Sequence, residues 1–314
     1  MADTTYKYIT LARLDHWIKQ LFILPGAVFA YVLIEDISVK TSIIKLILAL
    51  ISTSMVASSN YIINEVLDAE YDKYHPTKKQ RTLVMTKLKT KYIVFEYAIF
   101  AAGGLAIAYF VSLYVFLAAL SLLLMGLLYN VKPIRLKEIP YVDVLSESIN
   151  NAIRLLIGWF VMTSEYLPPV TIILGFWMGG AYLMAVKRYA EYKMINDKNV
   201  AALYRKSFSK YTEETLLISA VFYALTSIFF VGVFMIKYRM ELLLAILPIC
   251  GLYCYYLYIA QKKDSAVQKP EKLFKETGLM VYLLLLFTMM VVLLLVDIPV
   301  LSTLNDIALI GVSQ

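Results

Sequence analysis

The chain has 314 residues, of which 61% are hydrophobic and 17% charged. A soluble domain carries about 25% charged residues, so this composition excludes an ordinary water-soluble protein and points to one embedded in a bilayer. The formal charge of +7 does not indicate a nucleic-acid partner, because the basic residues cluster between apolar runs.

The first 16 residues are polar, and no cleavable signal peptide is expected. Trp17 reads as an interfacial anchor with Lys19 beside it, and His16 as interfacial and not a ligand. Apolar runs of spanning length then recur at roughly 17–35, 41–63, 92–112, 114–131, 142–162, 170–187, 214–236, 241–261 and 277–297. About 20 residues cross a bilayer as a helix, so nine spans are expected in a single all-α transmembrane domain, 1–314. A tight turn near Ser112–Tyr114 separates the third span from the fourth.

The second span runs into the densest polar patch beside any apolar segment, Asn64 to Arg81. Asn64, Asp68 and Asp72 recur every four residues, which keeps them on one helical face. Glu65 sits one position round from Asn64. Pro76 stops the helix just after His75, because it lacks an N–H and disfavours helical geometry in the preceding residue. Lys78, Lys79 and Arg81 follow. Carboxylate and carboxamide oxygens in a row suit Mg²⁺, which takes one or two protein carboxylates and completes its shell with phosphate oxygens. Cations just beyond can hold the outer oxygens of the same phosphates. The order therefore fits a metal-bridged diphosphate, and the alternative is a solvated loop of mixed charge.

The loop before the fifth span carries Lys132, Arg135 and Lys137. The fifth span is unusual, because Asp143, Glu147, Asn150, Asn151 and Arg154 form one stripe. Ionised groups inside a span cost a few kcal/mol and normally face a bundle interior or wet cavity. This stripe is expected to line a cavity, the alternative being a Glu147–Arg154 pair serving packing alone. The sixth span continues directly into Lys187 and Arg188, at the depth of lipid phosphates. Cys250 and Cys254 fall inside one apolar run and read as packed thiols. A short tail, 298–314, closes the chain.

Of the 30 Lys and Arg residues, 25 fall in the N-terminal segment and in the loops after spans two, four, six and eight. That asymmetry puts the N-terminus and the Asn64–Arg81 patch in the cytosol, and the C-terminal tail outside, of a plasma-membrane protein. No Gly-rich nucleotide loop or Cys/His metal pattern is present in the sequence.

Nine spans with Asn-x-x-x-Asp-x-x-x-Asp at the end of the second resemble the UbiA superfamily of intramembrane prenyltransferases. The run N-E-x-x-D-x-x-x-D-x-x-H-P-x-K-x-x-R is similar to the signature of its decaprenyl-phosphate phosphoribosyltransferase branch, with Glu65 and Thr82 departing from the usual Asp and Pro. R-x-x-x-W-x-K (Arg13, Trp17, Lys19), L-K-x-x-P-x-x-D (Leu136 to Asp143), K-R-Y-A-E (Lys187 to Glu191) and Y-T (Tyr211-Thr212) also resemble that branch. Prenyltransferases of the superfamily carry a second Asp-rich motif after the sixth span, where this chain has cations. The resemblance implies Mg²⁺-dependent transfer of a 5-phosphoribosyl group from phosphoribosyl diphosphate to a polyprenyl phosphate within a UbiA-like bundle around a central cavity open to the cytosol.

On that reading Asn64, Glu65, Asp68 and Asp72 are the metal ligands, with Asp68 and Asp72 catalytic. His75, Lys78, Arg81, Lys137, Arg154, Lys187, Arg188 and Tyr189 form the substrate-binding set. The alternative enzyme moves a polyprenyl group from its diphosphate to an aromatic or other small acceptor. The rival outside enzymes is a secondary transporter, against which the odd span count stands. A homo-oligomer is compatible with the sequence.

Overall fold

A computed structural model describes residues 7–35, 37, 39–76, 78–86, 88–262, 265–268, 273 and 275–301. Of the expected tail, residues 302–314 lie outside this set. Among the described residues the chain is helical, with no strand. Its first span, Lys7–Leu33, begins with 3₁₀ turns at Thr10–Ala12 and Leu14–Ile23 and ends as helix α1, Leu24–Leu33. There follow α2 (Val39–Asp72), α3 (Thr90–Val111), α4 (Leu113–Asn130), α5 (Val142–Met162), α6 (Val170–Ile195), α7 (Glu213–Tyr238), α8 (Ile246–Gln261) and α9 (Thr277–Leu295).

Eight segments among the described residues are long and apolar enough to cross a membrane. The expected count of nine included α5, which has spanning length at 21 residues but carries Asp143, Glu147 and Arg154. The outer surface is apolar, with Phe110 83% exposed and Leu225, Phe229 and Leu247 also outward. Such a surface suits lipid, and helices satisfy their own backbone groups there. The chain is an integral, multi-pass membrane protein.

Helix α2 is 34 residues long, about 50 Å at 1.5 Å per residue. That exceeds a hydrocarbon core of about 30 Å, so the polar end from Asn64 onward extends beyond the apolar part. The break between α3 and α4 is a single residue. Ser112 is extended at φ −170° and its Oγ accepts the Val115 amide at 3.1 Å, capping α4.

Helix α5 is the centre of the bundle. It packs against α1, α2, α4 and α6. Its Val144, its Ile153 and Ile157, and its Leu155 and Trp159 enter three separate apolar clusters. Against α1 the backbones touch: a Cβ on Gly26 would lie 2.0 Å from the Leu155 oxygen, and one on Gly158 would lie 1.9 Å from the Ile23 oxygen. Only glycine permits that approach. The closeness brings the polar face of α5 beside the first span and α2, and there the cavity opens.

Candidate active site

A cavity of about 500 Å³ lies between the first span, the polar end of α2, α5 and the end of α6. Asn64, Glu65, Asp68 and Asp72 line it, as do His75, Lys78, Arg81, Lys187 and Arg188. These nine sequence-predicted residues thus converge from three segments of the chain.

The carboxylates of α2 are held by cations from two loops and from the first span. Asp68 Oδ1 accepts from Arg135 Nη2 at 3.1 Å and from Lys137 Nζ. Lys137 Nζ also donates to Asn64 Oδ1 at 3.3 Å and Asn130 Oδ1 at 2.7 Å. Lys137 therefore does not line the main cavity but stands behind Asp68, where burial pulls its ammonium down to about 8. Asp72 Oδ2 accepts from Arg81 Nη1 at 2.5 Å. Glu65 Oε2 accepts from Arg13 Nη2 at 3.4 Å. His75 closes the turn after α2, its Nδ1 accepting the Lys78 amide at 3.1 Å.

The opposite wall comes from the end of α6, and its four marked residues diverge. Lys187 faces the cavity and has no hydrogen-bond or ion-pair partner among the described residues. Arg188 is 1% exposed and joins α6 to α5. It donates to Glu147 Oε2, to Tyr129 Oη at 3.2 Å and to Glu191 Oε2 at 3.1 Å, with Asp143 Oδ2 3.5 Å from its Nε. Tyr189 turns away into the core beside Tyr204 and Phe208. Glu191 accepts from Lys78 Nζ at 2.7 Å, and Lys78 also reaches Tyr204 Oη. Burial lowers the Lys78 ammonium, opposed by Glu191, and burial raises the Tyr204 phenol.

The Leu136–Asp143 and Tyr211-Thr212 motifs are structural. Asp143 is fully buried and accepts from Tyr211 Oη at 2.7 Å, Ser207 Oγ at 3.1 Å and Arg205 Nη1 at 3.4 Å, fixing the loop after α6 to α5. Thr212 caps α7, exchanging bonds with Thr215 at 3.1 and 2.9 Å.

The α5 stripe was expected to line the cavity: Glu147 does, and Arg154 is not among the lining residues. The alternative pair is also not made, since the partners of Glu147 are Arg188 and Tyr129. Arg154 Nε donates to the fully buried Gln20 Oε1 at 2.7 Å, and its Nη1 to Asn150 O at 3.1 Å. Seven residues on α5 are about 10 Å along the axis, too far for the pair. Both residues of the stripe do face the bundle interior. Glu147, Tyr129, Glu191, Arg205, Arg13 and Lys19 also line the cavity and were outside the sequence-predicted set. For Arg13 and Lys19 the signal was present in R-x-x-x-W-x-K; for Glu147 it was the stripe.

Among the described residues no three His, Cys, Asp or Glu side chains converge as a metal-binding group. Asn64, Asp68 and Asp72 instead offer oxygens from one side of a roomy cavity. That donor set fits Mg²⁺, which keeps part of its shell for non-protein oxygens, and does not fit a closed all-protein cage.

Known proteins resemble this chain. The chain is 25% identical over 217 residues to the decaprenyl-phosphate phosphoribosyltransferase of Mycolicibacterium smegmatis, covering 66% of this chain and 63% of that protein. It is 27% identical over 211 residues to the Mycobacterium tuberculosis enzyme of that name, covering 65% of each. The matched region thus spans just under two thirds of these relatives. A UbiA homolog from Archaeoglobus fulgidus, solved bound to GPP and Mg²⁺, has the same fold, with a TM-score of 0.68 at 20% identity over 92% of this chain and 100% of that one. The sequence profile of the UbiA prenyltransferase family matches residues 22–285. With that match and this fold, the chain belongs to the UbiA prenyltransferase family.

Proposed function

We propose that this protein transfers a 5-phosphoribosyl group from phosphoribosyl diphosphate to a polyprenyl phosphate, releasing diphosphate. One observation carries the reading. The row of acids on α2 is faced across the cavity by Lys187, which among the described residues makes no ion pair, while the acids of the far wall, Glu147 and Glu191, are each held by Arg188. At the end of α6 Glu191 is paired to Lys78 and Arg188, and just beyond it Asp197 caps the short helix Lys198–Tyr204. A row of acids facing a lysine that makes no ion pair suits a metal-bound diphosphate and a second, phosphorylated substrate. The names of the mycobacterial relatives agree with this chemistry.

In this mechanism Asn64, Asp68 and Asp72, with Glu65 beside them, would hold Mg²⁺. The ion, when bound, neutralises charge on the leaving diphosphate as a Lewis acid. His75, Lys78 and Arg81 bind the donor's phosphate oxygens, which requires Lys78 and Arg81 to exchange Glu191 and Asp72 for phosphate. Lys187 faces the acceptor. The C1–O bond to diphosphate breaks, C1 of the ribose gains oxocarbenium character, and an oxygen of the lipid phosphate forms the new bond from the opposite face. A phosphate monoester is already anionic near pH 7, so no strong general base is needed. The rate comes from positioning and electrostatics. Arg188 acts indirectly, by holding Glu147 and Glu191 in the walls. The excess of Lys and Arg on this face supports a site that opens to the cytosol.

The test is a pair of incubations of purified protein with Mg²⁺. One contains phosphoribosyl diphosphate and polyprenyl phosphate, the other an allylic diphosphate and an aromatic acceptor. Product in the first alone is expected. Product in the second alone would replace this reading with prenyl transfer.

A further inference from the structure

The start of the first span is strapped across the loop between α2 and α3. Leu11 and Ala12 are fully buried, and they pack with Ile62, Ile93, Leu83 and Leu88 in one apolar cluster. Tyr8 Oη accepts the Lys89 amide at 2.9 Å, and its ring meets that of Tyr92 edge-on at 5.7 Å. Arg13 then turns the chain in the left-handed region, at φ 49°. Leu83 belongs to the short helix Thr82–Met85, which follows Arg81 directly. The same cluster therefore fixes both the turn that carries Thr10 and the short helix that carries Thr82, and both threonines line the cavity.

The two hydroxyls meet with a defined direction. Thr10 Oγ1 and Thr82 Oγ1 lie 3.2 Å apart. A hydroxyl has one proton and two lone pairs. Thr10 donates its proton to the Lys7 carbonyl at 2.8 Å, and a carbonyl can only accept. The proton between the two threonines is therefore that of Thr82. Thr82 Oγ1 is left with lone pairs and no further proton. Arg13 and Arg81, which line the cavity with it, are donors only. This edge of the cavity thus sets one acceptor among donors. An ionised phosphate oxygen finds no proton at Thr82, whereas a ligand hydroxyl finds a lone pair there.

We propose that Thr82, oriented by Thr10, accepts a hydrogen bond from a ribose hydroxyl of the donor substrate and so selects a sugar diphosphate over an allylic one. This deepens the function proposed above and rests on it for the identity of the donor. That reading gives the donor's phosphates to His75, Lys78 and Arg81, and Thr82 is the next residue after Arg81. An allylic chain carries no hydroxyl, and one that displaced water here would leave the acceptor unpaired. Where the signature that this run resembles has Pro, which carries no hydroxyl, this chain has Thr82.

The experiment measures binding, not turnover, so it stands apart from the function test. Full-length protein in detergent is titrated calorimetrically with ribose 5-phosphate and its 2-deoxy and 3-deoxy analogues. Phosphoribosyl diphosphate, inorganic diphosphate and dimethylallyl diphosphate are titrated in the same way with Mg²⁺. Thr82→Val keeps the shape and removes the acceptor. It should weaken ribose 5-phosphate and phosphoribosyl diphosphate by about three- to tenfold, the range of one neutral hydrogen bond. Wild-type protein should prefer ribose 5-phosphate to one of the deoxy analogues by a similar factor, and Thr82→Val should abolish that preference. The two diphosphates without a sugar should stay within about twofold, and Thr82→Ser should bind as the wild type does. Thr10→Val checks the direction: it frees the Thr82 proton, so the preference for the hydroxyl should shrink while inorganic diphosphate binds no worse. The proposal is overturned if Thr82→Val or Thr10→Val leaves the ribose preference intact. It is also overturned if Thr82→Val weakens inorganic diphosphate as much as the sugar phosphates, or if wild-type protein does not distinguish ribose from either deoxy sugar. If Thr82→Val binds normally and phosphoribosylated lipid still forms, the subsite falls and the transfer reaction stands. If the hydroxyl preference follows Thr82 and no such lipid forms, the subsite stands and the transfer reaction falls.

Discussion

Lys78 and Glu191, 113 positions apart in the chain, meet at 2.7 Å and tie the loop after α2 to the end of α6. Glu191 is 1% exposed and also holds Arg188, so this one carboxylate joins both walls of the cavity.

Removing either partner should loosen the site. Loss of one member of a buried pair costs about 3–5 kcal/mol. Lys78→Met and Glu191→Gln should each lower the unfolding midpoint in detergent. The double variant should lose less than the sum, with a coupling of about 0.5–3 kcal/mol. Additive losses would mean that the two groups do not meet in the working protein.

The metal prediction concerns α2. Asp68→Asn or Asp72→Asn keeps volume and removes charge, and turnover should fall at least ~100-fold, about 2.7 kcal/mol of barrier. The variants should remain folded by gel filtration, and EDTA should abolish activity of the wild type. Unchanged rates in EDTA and in both Asn variants would sink the metal assignment.

Arg188 is expected to behave as a positioning residue. Its four polar neighbours all belong to the protein, so Arg188→Ala should raise KM for both substrates and lower the unfolding midpoint. The loss of a buried, multiply paired cation is in the range of about 3–5 kcal/mol. Lys187→Ala should instead raise KM for the lipid phosphate alone and leave the midpoint near wild type. Steady-state titrations of each substrate against saturating partner separate the two patterns. An effect of Arg188→Ala on lipid phosphate alone, with full stability, would return it to the acceptor site.

Much of this site was legible in the sequence, because a four-residue repeat of Asn64, Asp68 and Asp72 can share a face only on a helix. Asp143 to Arg154 was equally legible as a polar stripe, since lipid tolerates no such charges outward. Their partners were not legible. Glu147 reaches across to Arg188 on α6 instead of along its own helix to Arg154, and only the packing of α5 against α6 decides that. Nor does a K-R-Y-A-E run say which cation is buried: rotation of about 100° per residue sends Lys187 to the cavity, Arg188 into α5 and Tyr189 into the core. Arg13 and Lys19 were visible as a motif, but residue spacing alone does not announce that both line the cavity.

The separation of Glu147 from Arg154 is itself testable. Glu147→Gln and Arg154→Leu should each destabilise. Their effects should add within about 0.5 kcal/mol, as for sites with no shared partners. Gln20→Leu, which leaves Arg154 Nε without its acceptor, should cost about 1.5–3 kcal/mol and couple strongly to Arg154→Leu. Unfolding midpoints in a fixed detergent measure all three. Strong coupling between Glu147 and Arg154 would show that they share a bond.

The central claim is phosphoribosyl transfer onto a lipid phosphate. Mass spectrometry of the lipid fraction, after purified protein meets polyprenyl phosphate, phosphoribosyl diphosphate and Mg²⁺, tests it most directly. The account predicts a polyprenyl phosphate heavier by one phosphoribosyl unit, with diphosphate released in equal amount, and no such product from Asp68→Asn. Unmodified lipid from an active preparation that instead prenylates an aromatic acceptor with an allylic diphosphate would contradict it.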